Sequence, residues 1–224
     1  MLFSYFIVNS NKKGETVKDM FVNMKIRGKP LTCDDAPQWK KIIGILIQLC
    51  WVHEERHYKK LNPILKIHKE ELELKISQIW CFYNSLKDYK KNPNDEFKEL
   101  LLKQFDEIFN ASSSYDALDN RLKLTYAKKE ELLLVLNYPD IDIHNNISEN
   151  GIRPAVIKRK ISNGTRCENG TASWENHLSI LSTCKKLNIN YYDYILDVFK
   201  GIEHEVSLVD AIKQKSSILS TMTY

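Results

Sequence analysis

DIDIHNNISENGIRPAVIKRKIS, residues 140–162, is the stretch from which we predict the fold and function of this sequence. Asn145 and Asn146 can turn the chain and cap a helix, because their short amides bond to free backbone N–H groups. Glu149 then falls in the first turn, where the helix dipole favours a negative charge. Arg153 follows four residues later on the same face and can pair with Glu149. The stretch therefore predicts a helix with a carboxylate fixed near its start.

Basic residues continue along this predicted helix, at Lys158, Arg159 and Lys160. A fixed carboxylate beside a basic stripe suits an enzyme that holds a divalent metal ion against a phosphate backbone. The same residues also fit a capped surface helix with an ordinary ion pair. Taken alone they favour that simpler interpretation, since a short motif is only a hypothesis.

Positive charge is concentrated in the same part of the chain. The 224 residues carry a net charge of +4, with a pI of about 8.6. Residues 151–170 contain five Lys or Arg residues against Glu168 alone, an excess equal to that of the whole chain. A local basic patch is typical of nucleic-acid binding, although a solvated helix face has the same composition.

Cysteine usage and hydropathy bear on the cellular compartment. The five cysteines are widely spaced and include no CxxC pair, which predicts a reducing, cytoplasmic location rather than a disulfide framework. Residues 1–8 lack a basic segment and a cleavage site, so we expect no signal peptide. No apolar run approaches the roughly 20 residues that span a bilayer, so we expect no membrane partner.

The first quarter of the chain predicts an α/β arrangement. Strands are predicted at Leu2–Val8, Ile26–Cys33 and Gly44–Val52, although the last segment could also be helical. Helices are predicted at Glu15–Met24 and Ala36–Ile43. This alternation indicates a sheet covered by helices.

The rest of the chain predicts helices, so the content is expected to be mostly α. A helix is predicted at residues 53–61. Residues 63–138 contain three apolar stripes of helical period, separated by Asn92-Pro93 and Ser112–Ser114. They indicate an all-helical hairpin or small bundle inserted into the α/β part. Two further helices are expected around residues 174–187 and 191–199.

Three motifs, in this order, carry a family resemblance: CDDAPQW (33–39), LCWVHEERHYKKL (49–61) and IHNNISENGIRPAVIKRK (143–160). Together with SILSTCKKLNINYYDYILDVF (179–199) and YFIVNSNKKGE (5–15), they resemble transposases of the insertion sequence 66 type. These mobile-element enzymes belong to the DDE group, which has an RNase H-like core. The resemblance covers roughly residues 5–200 and implies a function in DNA transposition and recombination.

The resemblance implies a phosphodiester transfer that uses Mg²⁺ or Mn²⁺. In such enzymes two aspartates and a glutamate hold two ions, which serve the attacking and the leaving oxygen. Carried over, Asp34 is the second aspartate and Glu149 the glutamate, with Asp35 as the runner-up for the former. Asp34 is preferred because it directly follows a predicted strand, whereas Asp35 suits a helix cap. A double cap at a turn remains the alternative for both aspartates.

Other matching residues are assigned to DNA contact or to structure. Phosphate contacts need only positive charge or donors, although a solvated helix face explains the basic residues of 49–61 equally well. The predicted DNA-binding residues are Arg153, Lys158, Arg159, Lys160, Arg56 and Lys59. Cys50 and His53 match the Cys-x-x-His of the family. A structural zinc site needs four ligands, so Cys50 is expected in the core and His53 beside the catalytic end of the sheet. Asn145 and Asn146 match its Asn-Asn-x-x-Glu motif.

The resemblance also predicts the domain organisation. Residues 1–62 and 139–204 are the two parts of a truncated RNase H-like core, residues 63–138 are a helical insertion, and residues 205–224 are a tail. The first aspartate of the family lies on the first core strand, whereas this chain matches from the third strand on. No aspartate precedes Asp19, which falls in a predicted helix. We therefore expect the C-terminal portion of a transposase.

The partner expected for such a portion is DNA at transposon ends. Two further partners are left open: an upstream-encoded transposase half and a second copy of the chain. Two other functions also remain open. One is a DNA-binding remnant without catalysis. The other is a helical interaction protein built on residues 63–138, which predicts no affinity for DNA.

We predict that the isolated chain does not cleave or join DNA, even with Mg²⁺ or Mn²⁺ and its own terminal repeats. In-line phosphoryl transfer needs both oxygens stabilised, and one of the bridging carboxylates is missing from the matched sequence. The measurement is cleavage of labelled transposon ends by the purified chain, with Glu149→Gln alongside. Metal-dependent cleavage that Glu149→Gln abolishes would contradict the prediction.

Overall fold

The structure, a computed structural model, describes residues 3–7, 28–37, 39, 44–201 and 207–221. The chain divides into two units. The sheet unit comprises residues 11–145, and the terminal unit comprises residues 1–10 together with 146–224.

Two short strands of the sheet unit pair in parallel. Strand β1 is Pro30–Cys33 and strand β2 is Leu46–Leu49, with Pro30 opposite Leu46 and Cys33 opposite Leu49. The Gly28 N–H bonds to the Gly44 carbonyl at 2.7 Å just before the strands, where both glycines have positive φ. Because the strands are parallel, their carboxyl ends meet at one edge, where Asp34 and Cys50 follow.

Helices make up most of the described chain. In the sheet unit they are α1 Trp51–Lys59, α2 Lys66–Lys91, α3 Asp95–Phe109, α4 Asp116–Tyr126 and α5 Lys129–Leu132, with a 3₁₀ turn at Leu134–Leu136. In the terminal unit they are α6 Asn146–Ser162, α7 Glu168–Leu187, α8 Tyr191–Lys200 and α9 Leu208–Thr221. The prediction of mostly helical content is confirmed, and residues 63–138, all of which are described, contain helices and no strand.

The helix boundaries of the bundle follow from its polar breaks. Asn94 caps α3 by accepting a 2.8 Å hydrogen bond from the Phe97 N–H. Glu71 on α2 accepts hydrogen bonds from the hydroxyls of Ser113 and Ser114, each at 2.8 Å, and these bonds lower the pKa of Glu71. The serine run between α3 and α4 is therefore fixed to α2.

An aromatic cluster fills the core of the sheet unit. Trp51 is 1% exposed, and its ring lies 5.3 Å from Phe82, 6.2 Å from Phe105 and 6.0 Å from Phe109, measured between centroids. Leu49 at the end of β2 belongs to the same buried cluster. The core is therefore continuous from the sheet through α1 to the helical bundle.

Gln48 connects β2 to the end of the helical bundle. Its side chain is fully buried, and its Nε2 donates to the carbonyls of Leu49 and Leu132, both at 2.9 Å. Its Oε1 accepts the Val135 N–H at 2.8 Å. The buried amide therefore has hydrogen-bond partners for both its nitrogen and its oxygen. The bond to Val135 holds the 3₁₀ turn against β2.

In the terminal unit, side-chain oxygens accept hydrogen bonds from backbone N–H groups. Residues 3–7 lie against α7, where the Ser4 N–H bonds to the Thr183 hydroxyl at 3.3 Å and the Phe6 N–H to the Ser179 hydroxyl at 3.0 Å. Asn190 caps α8 by accepting from the Tyr192 N–H at 3.0 Å.

Two strand predictions need correction. Residues 3–7 form no strand, so the strand predicted at Leu2–Val8 is wrong there, because the backbone N–H groups of Ser4 and Phe6 bond to hydroxyls on a helix. The strand predicted at Gly44–Val52 ends at Leu49. The Cys50 carbonyl accepts the N–H groups of His53 and Glu54, both at 3.1 Å, which starts α1 two residues before the predicted helix.

Other predictions fall partly or wholly outside the described residues. The helix predicted at Glu15–Met24, including Asp19, lies outside them, as do residues 38 and 40–43 of the helix predicted at Ala36–Ile43. The strand predicted at Ile26–Cys33 is found from Pro30 onward, and residues 26–27 lie outside the description. Among the helices that are described, none has the length and apolar character needed to cross a bilayer.

Phe105→Ala is expected to lower the free energy of unfolding by about 3–5 kcal/mol, since it leaves a cavity at the centre of the aromatic cluster. Phe105 is 0% exposed, whereas Leu100 on the same helix is 49% exposed. Urea unfolding followed by circular dichroism measures the change. Leu100→Ala is the matched control and should shift the free energy by at most about 0.5 kcal/mol. Equal losses in the two variants would contradict the assignment of the core.

Candidate functional site

The carboxyl edge of the sheet brings three chain segments together. Asp34 follows β1, and α1 starts just after β2. The Thr32 hydroxyl donates to the Asp142 carbonyl at 2.6 Å, and the Trp51 N–H donates to the Ile143 carbonyl at 3.0 Å. The segment that leads into Asn145 therefore lies beside this edge. In α/β sheets this is where ligands and catalytic groups are found.

Asp34 is half-buried at this edge. Its Oδ1 accepts a 2.9 Å hydrogen bond from the indole N–H of Trp39. A neutral donor such as an indole fixes the orientation of a carboxylate without neutralising it. The Asp34 carboxyl group therefore has a defined orientation.

Asp35 has a different environment. Its Oδ2 forms an ion pair with Lys128 Nζ at 2.5 Å. Mg²⁺ and Mn²⁺ are held by carboxylate oxygens, and a carboxylate that already binds an ammonium group suits them less. The choice between the two adjacent aspartates as metal ligand stays a prediction, and Asp35 is the one already paired with an ammonium group.

A buried polar network extends from Asp35 into the helices. Lys128 Nζ also lies 3.6 Å from Glu54 Oε2, and Glu54 forms an ion pair with Arg121. The side chains of Glu54, Arg121 and Lys128 are 3%, 12% and 15% exposed. We call Asp35, Lys128, Glu54 and Arg121 the Glu54 network. Its two carboxylates and two cations balance, which offsets the large cost of burying a lone charge.

Two hydroxyls complete the Glu54 network. The Thr125 hydroxyl donates to Glu54 Oε1 at 2.5 Å, and it lies 2.6 Å from the Tyr58 hydroxyl. Because Thr125 has one hydroxyl hydrogen, Tyr58 is the donor in the second contact. Burial raises the pKa of Tyr58, so its hydroxyl keeps this proton. The network is therefore anchored inside the core of the sheet unit.

Sequence reasoning missed Glu54, Arg121 and Lys128. A signal for them is present, since Arg121, Thr125 and Lys128 follow one another at intervals of four and three, which places them on one helical face. Leu118 and Leu122, both buried, lie on the same helix. Charged residues interleaved with a buried apolar stripe indicate a paired, buried role.

Cys50 is buried in the core, as expected, whereas the role expected for His53 beside a catalytic site stays a prediction. Cys50 is 1% exposed, at the start of α1. The Arg56 guanidinium donates to His53 Nε2 at 3.2 Å. Burial, and then the nearby Asp34, raises the pKa of the neighbouring Cys33 to about 12, so that this thiol stays protonated near neutral pH. Within the described ranges, no group of three or more His, Cys, Asp or Glu side chains is arranged to hold a metal ion.

Of the two cations predicted on α1, Arg56 is exposed and contacts His53 as described above. Lys59 is also exposed, and its Nζ lies 2.7 Å from Glu55 and 5.5 Å from the centroid of the Trp80 ring. Lys59 is therefore held along the surface of the bundle. Its assignment to DNA contact stays a prediction.

In the terminal unit, α6 starts at Asn146 and carries Glu149 in its first turn, as the spacing predicts. The four cations predicted to bind DNA are all exposed along this helix: Arg153, Lys158, Arg159 and Lys160. Pro154 lies inside α6 and removes one backbone hydrogen bond. The Asn145 Oδ1 just before the helix is buried and makes no hydrogen bond to the described residues, so the expected cap from this oxygen is not found there.

Asp34 belongs to the sheet unit and Glu149 to the terminal unit. The joining of these two carboxylates in one site therefore stays a prediction. So does the assignment of the basic residues to DNA.

Comparison with known proteins gives one family. The family model described as Transposase IS66 family matches residues 2–173 of this chain. The match includes both predicted carboxylates and most of the helices.

Two curated relatives come from Sinorhizobium fredii (strain NBRC 101917 / NGR234). "Uncharacterized protein y4jO" is 38% identical over 167 residues, which are 75% of this chain and 51% of the relative. "Uncharacterized protein y4qI" is 24% identical over 160 residues, which are 65% of this chain and 29% of the relative. The chain thus spans about half of the first relative and less than a third of the second. No solved structure matches it.

Arg121→Met is expected to lower the free energy of unfolding by about 3 kcal/mol, because it leaves Glu54 buried without its closest cation. Urea unfolding of the full chain measures the effect. Lys123 on the same helix pairs with Asp119 at 2.7 Å on the surface, so Lys123→Met should change the free energy little. If Arg121→Met were as harmless as Lys123→Met, the buried Glu54 would not depend on Arg121 for charge compensation.

Proposed function

The chain belongs to the IS66 family of transposases, and from this premise we propose that it acts in DNA transposition as a DDE-type transposase segment. The family match runs through both Asp34 and Glu149, and this observation carries the proposal. In it, Asp34 and Glu149 are two of the carboxylates that serve phosphodiester cleavage and transfer at transposon ends. The parallel strand pair with Asp34 at its carboxyl edge supports an RNase H-like core.

The chemistry proposed for the site depends on charge. Mg²⁺ or Mn²⁺ ions bound there would supply charge stabilisation for the attacking and the leaving oxygen of a phosphodiester. Asp34 and Glu149 would hold them. Trp39 orients Asp34 through its indole N–H, and Lys128 neutralises Asp35, so within the described residues Asp34 is the uncompensated one of these two adjacent carboxylates.

The proposed DNA contact is the exposed basic face of α6. Phosphates are bound by Lys and Arg side chains that reach solvent, and such contacts fix the position of DNA without reading its sequence. The exposure of Arg153, Lys158, Arg159 and Lys160 also favours the second candidate function, DNA binding without catalysis. The two candidates differ in whether Asp34 and Glu149 share metal ions.

We expect one metal site to contain both Asp34 and Glu149. Carboxylates that share two ions must lie within a few ångströms of ions about 3.5–4 Å apart. The test replaces the native ion with Fe²⁺ and adds ascorbate and hydrogen peroxide, so that radicals formed at the ion cut the backbone nearby. Cuts are expected near both residue 34 and residue 149, located by mass spectrometry.

The controls for this test are single amide variants. Asp34→Asn should weaken the cuts at both positions, and Glu149→Gln should do the same. Cuts at one position only, or cuts that neither variant weakens, would contradict the shared site and leave DNA binding without catalysis as the better function.

DNA binding is expected to be weak and salt-sensitive. Reversal of the charges of Arg153, Lys158, Arg159 and Lys160 to Glu should abolish most of it, since phosphate contacts release counterions and log affinity falls with log salt by about 0.9 per contact. Fluorescence anisotropy with labelled duplex DNA at several salt concentrations gives both affinity and slope.

A matched variant reverses four Lys residues of the helical bundle, Lys66, Lys69, Lys87 and Lys103, and it keeps the same net charge. It should bind DNA more tightly than the α6 variant. Equal affinity of the two variants would mean that net charge, rather than the basic face of α6, determines binding.

A further inference from the structure

We propose that Lys128 is a positioning residue for the Asp34 carboxylate, acting through its ion pair with Asp35. This inference rests on the proposed function, because it assigns Asp34 to the metal site. It makes the helical bundle part of the catalytic apparatus, since Lys128 lies between α4 and α5 and is 93 positions from Asp35.

The ion pair is short and shielded from solvent. Lys128 Nζ lies 2.5 Å from Asp35 Oδ2, and the two side chains are 15% and 31% exposed. A pair with this geometry is screened much less by water than an exposed pair. It therefore restricts the Asp35 side chain.

Lys128 is itself fixed on its other side. Its Nζ lies 3.6 Å from Glu54, which is tied in turn to Arg121 and Thr125. Its backbone N–H donates to the Thr125 carbonyl at 3.0 Å. Lys128 is thus a mostly buried lysine that is held by contacts on both sides, unlike a solvent-exposed surface lysine.

Asp34 stands between two fixed neighbours. Cys33 before it is 4% exposed and paired within the sheet, opposite Leu49. Asp35 after it is held by Lys128. With both neighbours fixed, the Asp34 backbone has little freedom, and the Trp39 indole then sets the direction of the carboxylate. Metal sites depend on such supporting contacts, which orient the ligands.

The same ion pair determines which aspartate faces a cation. Two adjacent carboxylates repel each other. Without the ion pair to Lys128, a divalent cation could bind either Asp34 or Asp35. Lys128 compensates the charge of Asp35, so the two aspartates do not present equivalent carboxylates to a cation. Loss of Lys128 should therefore disturb both the orientation and the electrostatics of Asp34.

Trp39 provides a direct readout of Asp34 that needs no metal. The chain has four tryptophans, and ¹⁵N labelling resolves their indole N–H resonances by NMR, with Trp39→Phe assigning the one of interest. We expect Lys128→Met to move the Trp39 resonance toward its position in Asp34→Asn. Lys128→Arg keeps the charge and should preserve the wild-type position.

Lys123→Met is the matched control, since it removes one lysine and one ion pair nearby without touching Asp35. It should leave the Trp39 resonance unchanged. The resonances of Trp51, Trp80 and Trp174 report whether each variant is folded. Lys128→Met alone leaves the Asp35 charge uncompensated and could unfold the chain. In that case the double variant Asp35→Asn with Lys128→Met removes both charges of the ion pair. It should move the Trp39 resonance as expected for Lys128→Met.

The second measurement is Mn²⁺ affinity of the full chain by paramagnetic broadening. Lys128→Met is expected to weaken it about 10-fold, the usual size of a lost supporting contact, and Lys128→Arg should restore it. A folded Lys128→Met variant with a wild-type Trp39 resonance and wild-type Mn²⁺ affinity would overturn the positioning role. Mn²⁺ binding that does not depend on Asp34 would instead count against the proposed function, while the Trp39 resonance would still decide the role of Lys128.

Discussion

The carbonyl oxygen of Leu132 accepts two buried hydrogen bonds, one from the Trp51 indole and one from the Gln48 side chain, both at 2.9 Å. An indole N–H and an amide buried in an aromatic core are costly unless each finds a partner. One backbone group at the end of α5 satisfies both. The strand, the first helix and the helical bundle are thereby fixed relative to one another, and the edge that carries Asp34 depends on this arrangement.

The Glu54 network links the sheet edge at Asp35 to helices α1 and α4. Its four charged groups stay together because each has a partner of opposite charge, and the Thr125 hydroxyl donates a further hydrogen bond to Glu54. Burial of this kind adds little net stability compared with apolar packing, but it fixes which groups pair. In the proposed function, this edge would hold the Asp34 carboxylate in one direction, as phosphoryl-transfer chemistry requires of its ligands.

Local patterns predicted much of this chain. The helices of residues 63–138 follow from apolar periodicity, which acts over a few positions, and Glu149 lies in the first turn of α6 as its spacing predicts, although the expected Asn145 cap is not found among the described residues. The strand predicted at Leu2–Val8 failed in residues 3–7, because hydroxyls on α7 compete for its backbone, and α7 lies more than 170 positions away. The Glu54 network was missed for the same reason. Its partners are 67 to 93 positions apart, a separation that periodicity does not register.

Gln48 also has a consequence for how the protein is made. Its amide and the Trp51 indole bond to residues 81 to 87 positions further along the chain. During synthesis, the partners of β2 and α1 at Leu132 and Val135 are made later. The apolar side chains of β2 and α1 therefore stay unburied until that segment has left the ribosome. Contacts of such long separation slow folding and leave a chain open to aggregation in the meantime. The first half of the chain therefore completes its core only after the helical bundle has been made.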